Sequence, residues 1–364
     1  MINQFLHRIV NHIDSFLMAC LLFTMLVGLF VLYSASSHNV DRVLAQAFNI
    51  AVALCAMWLV ANVSPQRIER AAMPLYIIGV LLLIGVALFG TTSHGAKRWL
   101  NLGITKIQPS EIMRLAMPMM IAWYFSKREA SLGVVDFIIA GLLLVVPVGL
   151  IMKQPDLGTA LLISASGFYV LFLAGLNWKF LVGGIVSIGA MMPVFWSMLH
   201  DYQRKRIEIL IDPTQDPLGA GYHTIQATIA LGSGGMAGKG WLHGTQAQLD
   251  FLPERTTDFI FAVFGEEFGM LGNILLLVLF SLIIIRGLII AADAKNTFTR
   301  LLAGSITLTF FTYTFVNMGM VSGILPVVGV PLPFISYGGT SMVTLLLGFG
   351  ILMSIHTNKK LVSS

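Results

Sequence analysis

The chain has 364 residues, of which 57% are hydrophobic and only 11% charged, with a mean hydropathy of +0.85. A soluble domain is about 25% charged, so this composition leaves too little polar surface to cover a water-facing core of any size. An ordinary cytosolic enzyme, a disordered chain and a secreted disulfide scaffold are excluded, and an integral membrane protein remains. The net charge of +5 and pI of about 9.2 arise without a long basic run, which fits positively charged cytoplasmic loops rather than nucleic-acid binding.

Apolar stretches near the roughly 20 residues that cross a bilayer recur at 15–35, 43–62, 73–91, 110–126, 134–152, 157–175, 178–198, 258–285, 302–325 and 334–355. They predict an all-α integral membrane protein: ten transmembrane helices in one polytopic domain over 1–364, with a single large extracytoplasmic loop at 199–257. The first stretch has no small-residue cleavage site after it and reads as a retained helix. Cys20 and Cys55 both lie inside apolar runs, so neither a disulfide nor a metal thiolate is expected.

Lys and Arg in the connections orient the bundle. With both ends inside, eleven cations (Arg8, Arg67, Arg70, Lys127, Arg128, Lys179, Arg286, Lys295, Arg300, Lys359, Lys360) face the cytoplasm, against five (Arg42, Lys97, Arg98, Lys106, Lys153) in the short outer loops.

In chain order, the first polar feature is Gly95-Ala96-Lys97-Arg98-Trp99-Leu100, where Lys97 and Arg98 either clamp a phosphate or sit as interfacial cations beside an interfacial Trp. Gln108-Pro109-Ser110-Glu111-Ile112-Met113-Arg114 opens the fourth helix. Glu111 and Arg114 share a face at i, i+3, as a structural pair or a substrate contact that also holds a polar cavity open. Asp156 in Gln154-Pro155-Asp156-Leu157-Gly158-Thr159 is a helix cap or a second outer carboxylate.

The 199–257 loop combines aromatics (Tyr202, Tyr222, Trp241), cations (Arg204, Lys205, Arg206, Lys239) and Gly-rich pieces, as a functional loop would. Its cations suit a pyrophosphate or an anionic headgroup, and its aromatics a partner surface. His200, His223 and His243 lack metal-ligand spacing.

Thr256-Thr257-Asp258 leads into the eighth helix. A threonine cap would put Asp258 in the first turn, either as a dipole-favoured acid or as an ionised carboxylate able to take a proton. Glu266 and Glu267, two turns on, read as mainly structural, and Gly265 and Gly269 predict close packing. The eighth stretch is long enough to tilt or project. After Asn317, three prolines and four glycines over Gly323 to Gly339 break the helix at membrane depth. There the turn of Ser336, Tyr337, Gly338 and Gly339 offers N–H groups to an anion or is a plain packing break.

Together Gly-Ala-Lys-Arg-Trp-Leu-Asn-Leu-Gly, Gln-Pro-Ser-Glu, Gln-Pro-Asp-Leu-Gly-Thr, Asp-Pro-Leu-Gly-Ala-Gly-Tyr-His, Thr-Asp-Phe-Ile-Phe-Ala and Pro-Leu-Pro-Phe-Ile-Ser-Tyr-Gly-Gly resemble the SEDS family (shape, elongation, division and sporulation), most nearly its rod-shape branch. The resemblance covers nearly the whole chain in order and spacing. It implies a ten-helix fold and a peptidoglycan glycosyltransferase of the bacterial inner membrane that polymerises lipid II during cell elongation. It implies that Asp258 is the essential carboxylate and that Glu111 pairs with Arg114, an Arg where relatives often carry Lys. It also implies a class B penicillin-binding protein transpeptidase and other elongation-complex proteins as partners.

The chemistry that fits is a single inverting displacement with Asp258 as general base. The leaving pyrophosphate would be met by Lys97, Arg98, Arg204, Lys205, Arg206, Lys239 or a divalent cation, Mg or Mn. A lipid II flippase ranks second because the strongest polar cluster is at one surface rather than the midplane. A non-catalytic scaffold ranks third.

Overall fold

The computed structural model describes residues 13–93, 96–101, 106–129, 132–154, 156–198, 201–213, 220–249, 251–252 and 254–359. Helices lie over all ten predicted stretches: α1 Ser15–Ala35, α2 Val40–Ala61, α3 Pro65–Phe89, α4 Pro109–Arg128, α5 Val134–Met152, α6 Leu157–Leu173, α7 Trp178–Met198, α11 Ile260–Ala292, α12 Thr297–Val321 and α13 Gly339–Lys359, with α8 to α10 described below. Seven of them (α1, α2, α3, α5, α11, α12 and α13) are long and apolar enough to cross a membrane. The protein is thus a multi-pass, mostly helical membrane protein. Helix α4 carries Glu111, Arg114, Lys127 and Arg128 and is far less apolar.

Helix boundaries follow from side-chain caps and prolines. Asp14 Oδ1 accepts from Leu17 N–H at 2.8 Å, Asn39 Oδ1 from Arg42 N–H at 3.0 Å, and Asn296 Oδ1 from Thr299 N–H at 2.8 Å. Pro65 and Pro109 occupy first-turn positions, where a missing N–H is harmless. Helix α12 runs through the middle of the bundle, with Leu301, Leu302, Phe310, Tyr313, Asn317 and Met320 all buried.

Three features depart from the sequence reading. The fold is not wholly helical: β1 Thr91–Ser93, β2 Ala96–Asn101 and β3 Lys106–Ile107 form a small antiparallel sheet in the order β1-β2-β3, with Thr92 opposite Lys97 and Leu100 opposite Ile107. β-Branched Thr91 and Thr92 and aromatic Trp99 favour extended backbone over a plain loop.

Among its described residues the 199–257 segment is not a plain loop but carries three helices: α8 Asp201–Ile211, α9 Ala220–Ser233 and the short α10 Thr245–Gln248. Helix α9 packs into the bundle through Thr224, Ala227 and Ala230.

Helix α11 is two helices merged across Gly269, whose backbone (φ 64°, ψ −163°) is not helical. The turn that follows α9 enters this break. Met270 N–H donates to Gly235 O at 2.9 Å and Leu271 N–H to Met236 O at 3.1 Å. In the other direction, Lys239 N–H donates to Glu266 O and Gly240 N–H to Glu267 O, both at 3.0 Å. The long eighth stretch thus contains a break, and the close packing expected at Gly265 and Gly269 is made against residues 231–238.

The link between α12 and α13, residues 322–338, turns back into the protein. Phe334, at φ 64°, lies among Phe310 (ring centroids 5.6 Å apart) and Phe349 (5.4 Å). Helix α1 packs on its backbone so closely that a Cβ at Gly28 would lie 2.6 Å from Phe334 O.

Candidate active site

Asp258 is not in the first turn of α11. The helix begins at Ile260 with Phe259 as a cap that makes no side-chain hydrogen bond, so Asp258 lies two residues ahead, in a turn over residues 254–259. Neither threonine caps the helix: Thr257 Oγ1 donates back to Glu254 Oε2 at 2.8 Å. The backbone carbonyls of this turn are committed elsewhere. Tyr337 N–H donates to Thr256 O at 2.8 Å, Ser336 Oγ to Thr257 O at 2.6 Å, and Asn317 Nδ2 to Asp258 O at 2.8 Å. Gly329, at φ 72°, forms the facing wall, where a Cβ would be 3.4 Å from Asp258 Oδ2.

A polar belt runs from this turn through the bundle. Gly158 near the start of α6 abuts the same wall, with a Cβ there 2.6 Å from Val328 O. Asp156 caps α6 through Thr159 N–H at 3.2 Å and pairs with Arg98 Nε at 3.5 Å, so it is both cap and carboxylate. Thr159 Oγ1 accepts from Arg114 Nη2 at 3.5 Å. Arg114 is bound to Glu111 at 2.8 Å and lies over the Tyr313 ring, 5.4 Å from its centroid. Tyr313 and Asn317 stand four residues apart on one face of α12, so a single helix face serves both ends of the belt. Beside it, a groove of about 420 Å³ is lined by Asn49, Gln108, Glu111, Gly339, Thr340 and Thr344, among others. The expected Glu111–Arg114 pair thus forms and borders a cavity.

Several proposed anion contacts are occupied within the protein. Ser336 Oγ donates to Thr257 O and accepts from Leu332 N–H at 2.8 Å, and Gly338 N–H donates to Gln46 Oε1 at 3.2 Å. The turn at Ser336–Gly339 is therefore a packing joint rather than an open anion nest; a Cβ on Gly339 would lie 3.1 Å from Asn49 Oδ1.

Lys239 Nζ pairs with buried Glu266 at 2.7 Å, and Thr245 Oγ1 and Gln246 N–H complete the carboxylate's shell, so this lysine is structural here. Glu267 takes a hydrogen bond from Ser34 Oγ. Arg204 donates to Trp196 O at 2.9 Å and Ser197 O at 2.8 Å, satisfying carbonyls at the end of α7. Trp241 stacks on Phe30 of α1 at 4.1 Å rather than standing free for a partner. Lys205 is exposed. The side chains of Lys97 and Arg206 lie outside the described residues, as do Arg8, His200, Lys360 and the Asp216–Gly219 part of the motif around Tyr222.

Sequence reasoning missed two residues that hold the turn. Gln46 bridges α2 to the 336–338 turn, donating to Ser336 O at 3.2 Å and accepting from Gly338 N–H. Arg255 donates to Ala35 O at 2.7 Å and Ser37 Oγ at 2.9 Å, tying the Asp258 turn to the end of α1. An uncharged amide inside an apolar run was the only signal for the first; the second was masked by the apparent threonine cap.

Comparison with known proteins gives the class. The family model FTSW_RODA_SPOVE, described as cell cycle protein, matches residues 14–361. The chain is 50% identical over 353 residues to peptidoglycan glycosyltransferase MrdB of Escherichia coli K12, covering 97% of this chain and 95% of that protein. It is 34% identical over 354 residues to the protein of the same name in Helicobacter pylori J99, covering 96% and 91%. Among solved structures, a chain of a peptidoglycan synthase complex superposes with a TM-score of 0.83 at 30% identity, covering 96% of this chain and 98% of that one. Rod shape determining protein RodA of Thermus thermophilus superposes with 0.72 at 27% identity, covering 95% and 97%. Fold and site therefore define a polytopic membrane enzyme that builds peptidoglycan strands. The chain belongs to the FTSW_RODA_SPOVE family and is a peptidoglycan glycosyltransferase.

Proposed function

We propose that the protein polymerises lipid II by an inverting transfer in which Asp258 is the general base. The carrying observation is a carboxylate on a turn whose backbone carbonyls at Thr256, Thr257 and Asp258 each take a hydrogen bond, and which faces the wall at Gly329. Asp258 takes the proton of the acceptor's GlcNAc 4-hydroxyl as that oxygen attacks C1 of the donor sugar. The bond from C1 to the undecaprenyl pyrophosphate oxygen breaks, the pyrophosphate leaves with its electron pair, and the proton passes from Asp258 to water. An α-linked donor yielding a β-1,4 link implies one displacement and no glycosyl-enzyme.

Because lipid II sugars lie outside the cytoplasmic membrane, this reading puts Asp258 on the extracytoplasmic side and both termini in the cytoplasm. The eleven-to-five distribution of cations supports that orientation. Among the described residues, Arg98 is a cation placed for the pyrophosphate: its partner Asp156 caps the helix that abuts the wall facing Asp258. Among the described residues no cluster of three His, Cys, Asp or Glu side chains could hold a metal. A divalent cation, Mg or Mn, held between the substrate pyrophosphate and one or two carboxylates would need no such cluster. A class B penicillin-binding protein transpeptidase of the elongation complex is the proposed partner, supported by the likeness to a chain of a peptidoglycan synthase complex.

The test is Asp258→Asn in purified protein supplied with lipid II, with products resolved as glycan ladders. Loss of ladders with unchanged thermal melting is expected. Long ladders from the Asn variant would sink the general-base role.

A further inference from the structure

Asn317 is wholly buried, and its side-chain nitrogen uses both hydrogens: one on Asp258 O at 2.8 Å, the other on Val330 O at 2.7 Å. A hydroxyl has one hydrogen to give and a carboxylate none, so no smaller or acidic side chain makes this pair of bonds. The amide orientation is fixed by its surroundings, since the reverse would aim Oδ1 at two carbonyl oxygens. Val330 adjoins Gly329, the wall facing the Asp258 carboxylate. One amide therefore spans the gap between the Asp258 turn and the re-entrant segment. Ser336 adds the parallel bond to Thr257 O, and its own place is fixed by Leu332 N–H and by Gln46 of α2.

We propose that Asn317 and Ser336 are positioning residues for glycosyl transfer: they form a latch that sets how the Asp258 carboxylate stands against the re-entrant wall, without touching substrate. The proposal rests on Asp258 as the base. A carboxylate displaced by about 1 Å from its reactive position forfeits up to roughly 100-fold in rate. The latch holds the backbone on which that position depends. Arg98, the proposed pyrophosphate contact, is not part of the latch, so loosening the latch lowers kcat and leaves KM in place.

The experiment measures kcat, KM and the pH profile of kcat with purified full-length protein and lipid II. The variants are Ser336→Ala, Ser336→Thr and Asn317→Leu, each also combined with Asp258→Asn. Ser336→Ala should lower kcat about tenfold with KM within about twofold, and move the acid limb of the pH profile. Ser336→Thr, which keeps the hydroxyl, should restore most of the rate. Asn317→Leu strands two buried carbonyls and is judged per folded molecule; the milder Ser336→Ala carries the test if it does not fold. In the Asp258→Asn background, Ser336→Ala should add no loss to the residual turnover, because the group it positions is gone. A raised KM at constant kcat, a Thr variant no better than Ala, or a full further loss in the Asn background would each overturn the latch. Parent-level turnover by Asp258→Asn alone would instead overturn the general-base reading, so the two failures are distinct.

Discussion

Glu111 and Arg114 bring two charges into an apolar bundle, and geometry shows how they are tolerated. Their oxygens and nitrogens meet at 2.8 Å, one guanidinium nitrogen reaches Thr159, and the guanidinium plane lies over Tyr313. Removing one member strands the other, which typically costs about 3–5 kcal/mol for a buried pair. Glu111→Ala should therefore lower the detergent melting temperature and abolish turnover together. The swap Glu111→Arg with Arg114→Glu should regain part of the stability, and equal melting of the Ala variant and the parent would contradict a structural pair. Lys239 poses the converse case. Its ammonium serves Glu266 within the fold, so Lys239→Ala should destabilise by about 2 kcal/mol, somewhat less than a sealed pair because the lysine is part-exposed. The lipid II concentration for half-maximal rate should stay put; a severalfold rise would restore this lysine to the substrate site.

At the scale of elements, the break in α11 is made by glycines on both sides of a backbone-to-backbone contact. At Gly238, where φ is 81°, a Cβ would lie 2.1 Å from Glu267 O; at Gly234 it would lie 2.1 Å from Gly265 O. Gly238→Ala meets both a left-handed backbone and a clash that no rotamer relieves. It should cost at least about 2 kcal/mol, read as a fall in melting temperature, whereas Gly141→Ala in α5, with nothing within 4 Å, should be neutral or slightly stabilising.

This element also marks how far the sequence could be read. Apolar runs located the helices because lipid offers the backbone no hydrogen bonds, so each long run must satisfy its own. Pro109 and Asp156 marked helix starts for local reasons, and Glu111 found Arg114 because i, i+3 spacing is enough. The break at Gly269 was illegible, since its cause lies 31 to 35 residues upstream, at 234–238. The start of α11 was misread for a like reason. Thr256 and Thr257 resemble caps, yet their carbonyls are claimed by Tyr337 and Ser336, about 80 residues away. The Ser-Tyr-Gly-Gly turn looked open to an anion because nothing local shows Gln46 meeting it.

Across the whole molecule, one joint at the end remote from Asp258 ties three helices. Asp14, the cap of α1, pairs with Arg286 of α11 at 2.5 Å and His356 of α13 at 3.1 Å. Burial alone would raise its carboxyl. Hydrogen bonds from Arg286 and Leu17 N–H, with the nearby Arg286 and His356 charges, outweigh burial and hold it below the ordinary 3.8. A carboxyl depressed on folding contributes stability above its unfolded value and loses it as pH falls through the folded one. Between pH 5 and 8 this joint should add a constant increment, so Asp14→Asn should melt lower by a fixed amount across that range, about 2 kcal/mol for a charge-assisted network. Parent and variant should converge only on acidification below about pH 4. A gap that persisted undiminished well below pH 4 would contradict the carboxylate's part in the joint.

The same joint has a consequence for the time course of synthesis. Asp14 is made 272 residues before Arg286. At about 5–20 residues per second, the carboxylate spends roughly 14 to 54 s in a nascent chain before its guanidinium partner is made. Every earlier span can be inserted while that acid still lacks its guanidinium. A chain that stalls before α11 therefore carries the cap of α1 without the Arg286 guanidinium that answers it in the finished fold.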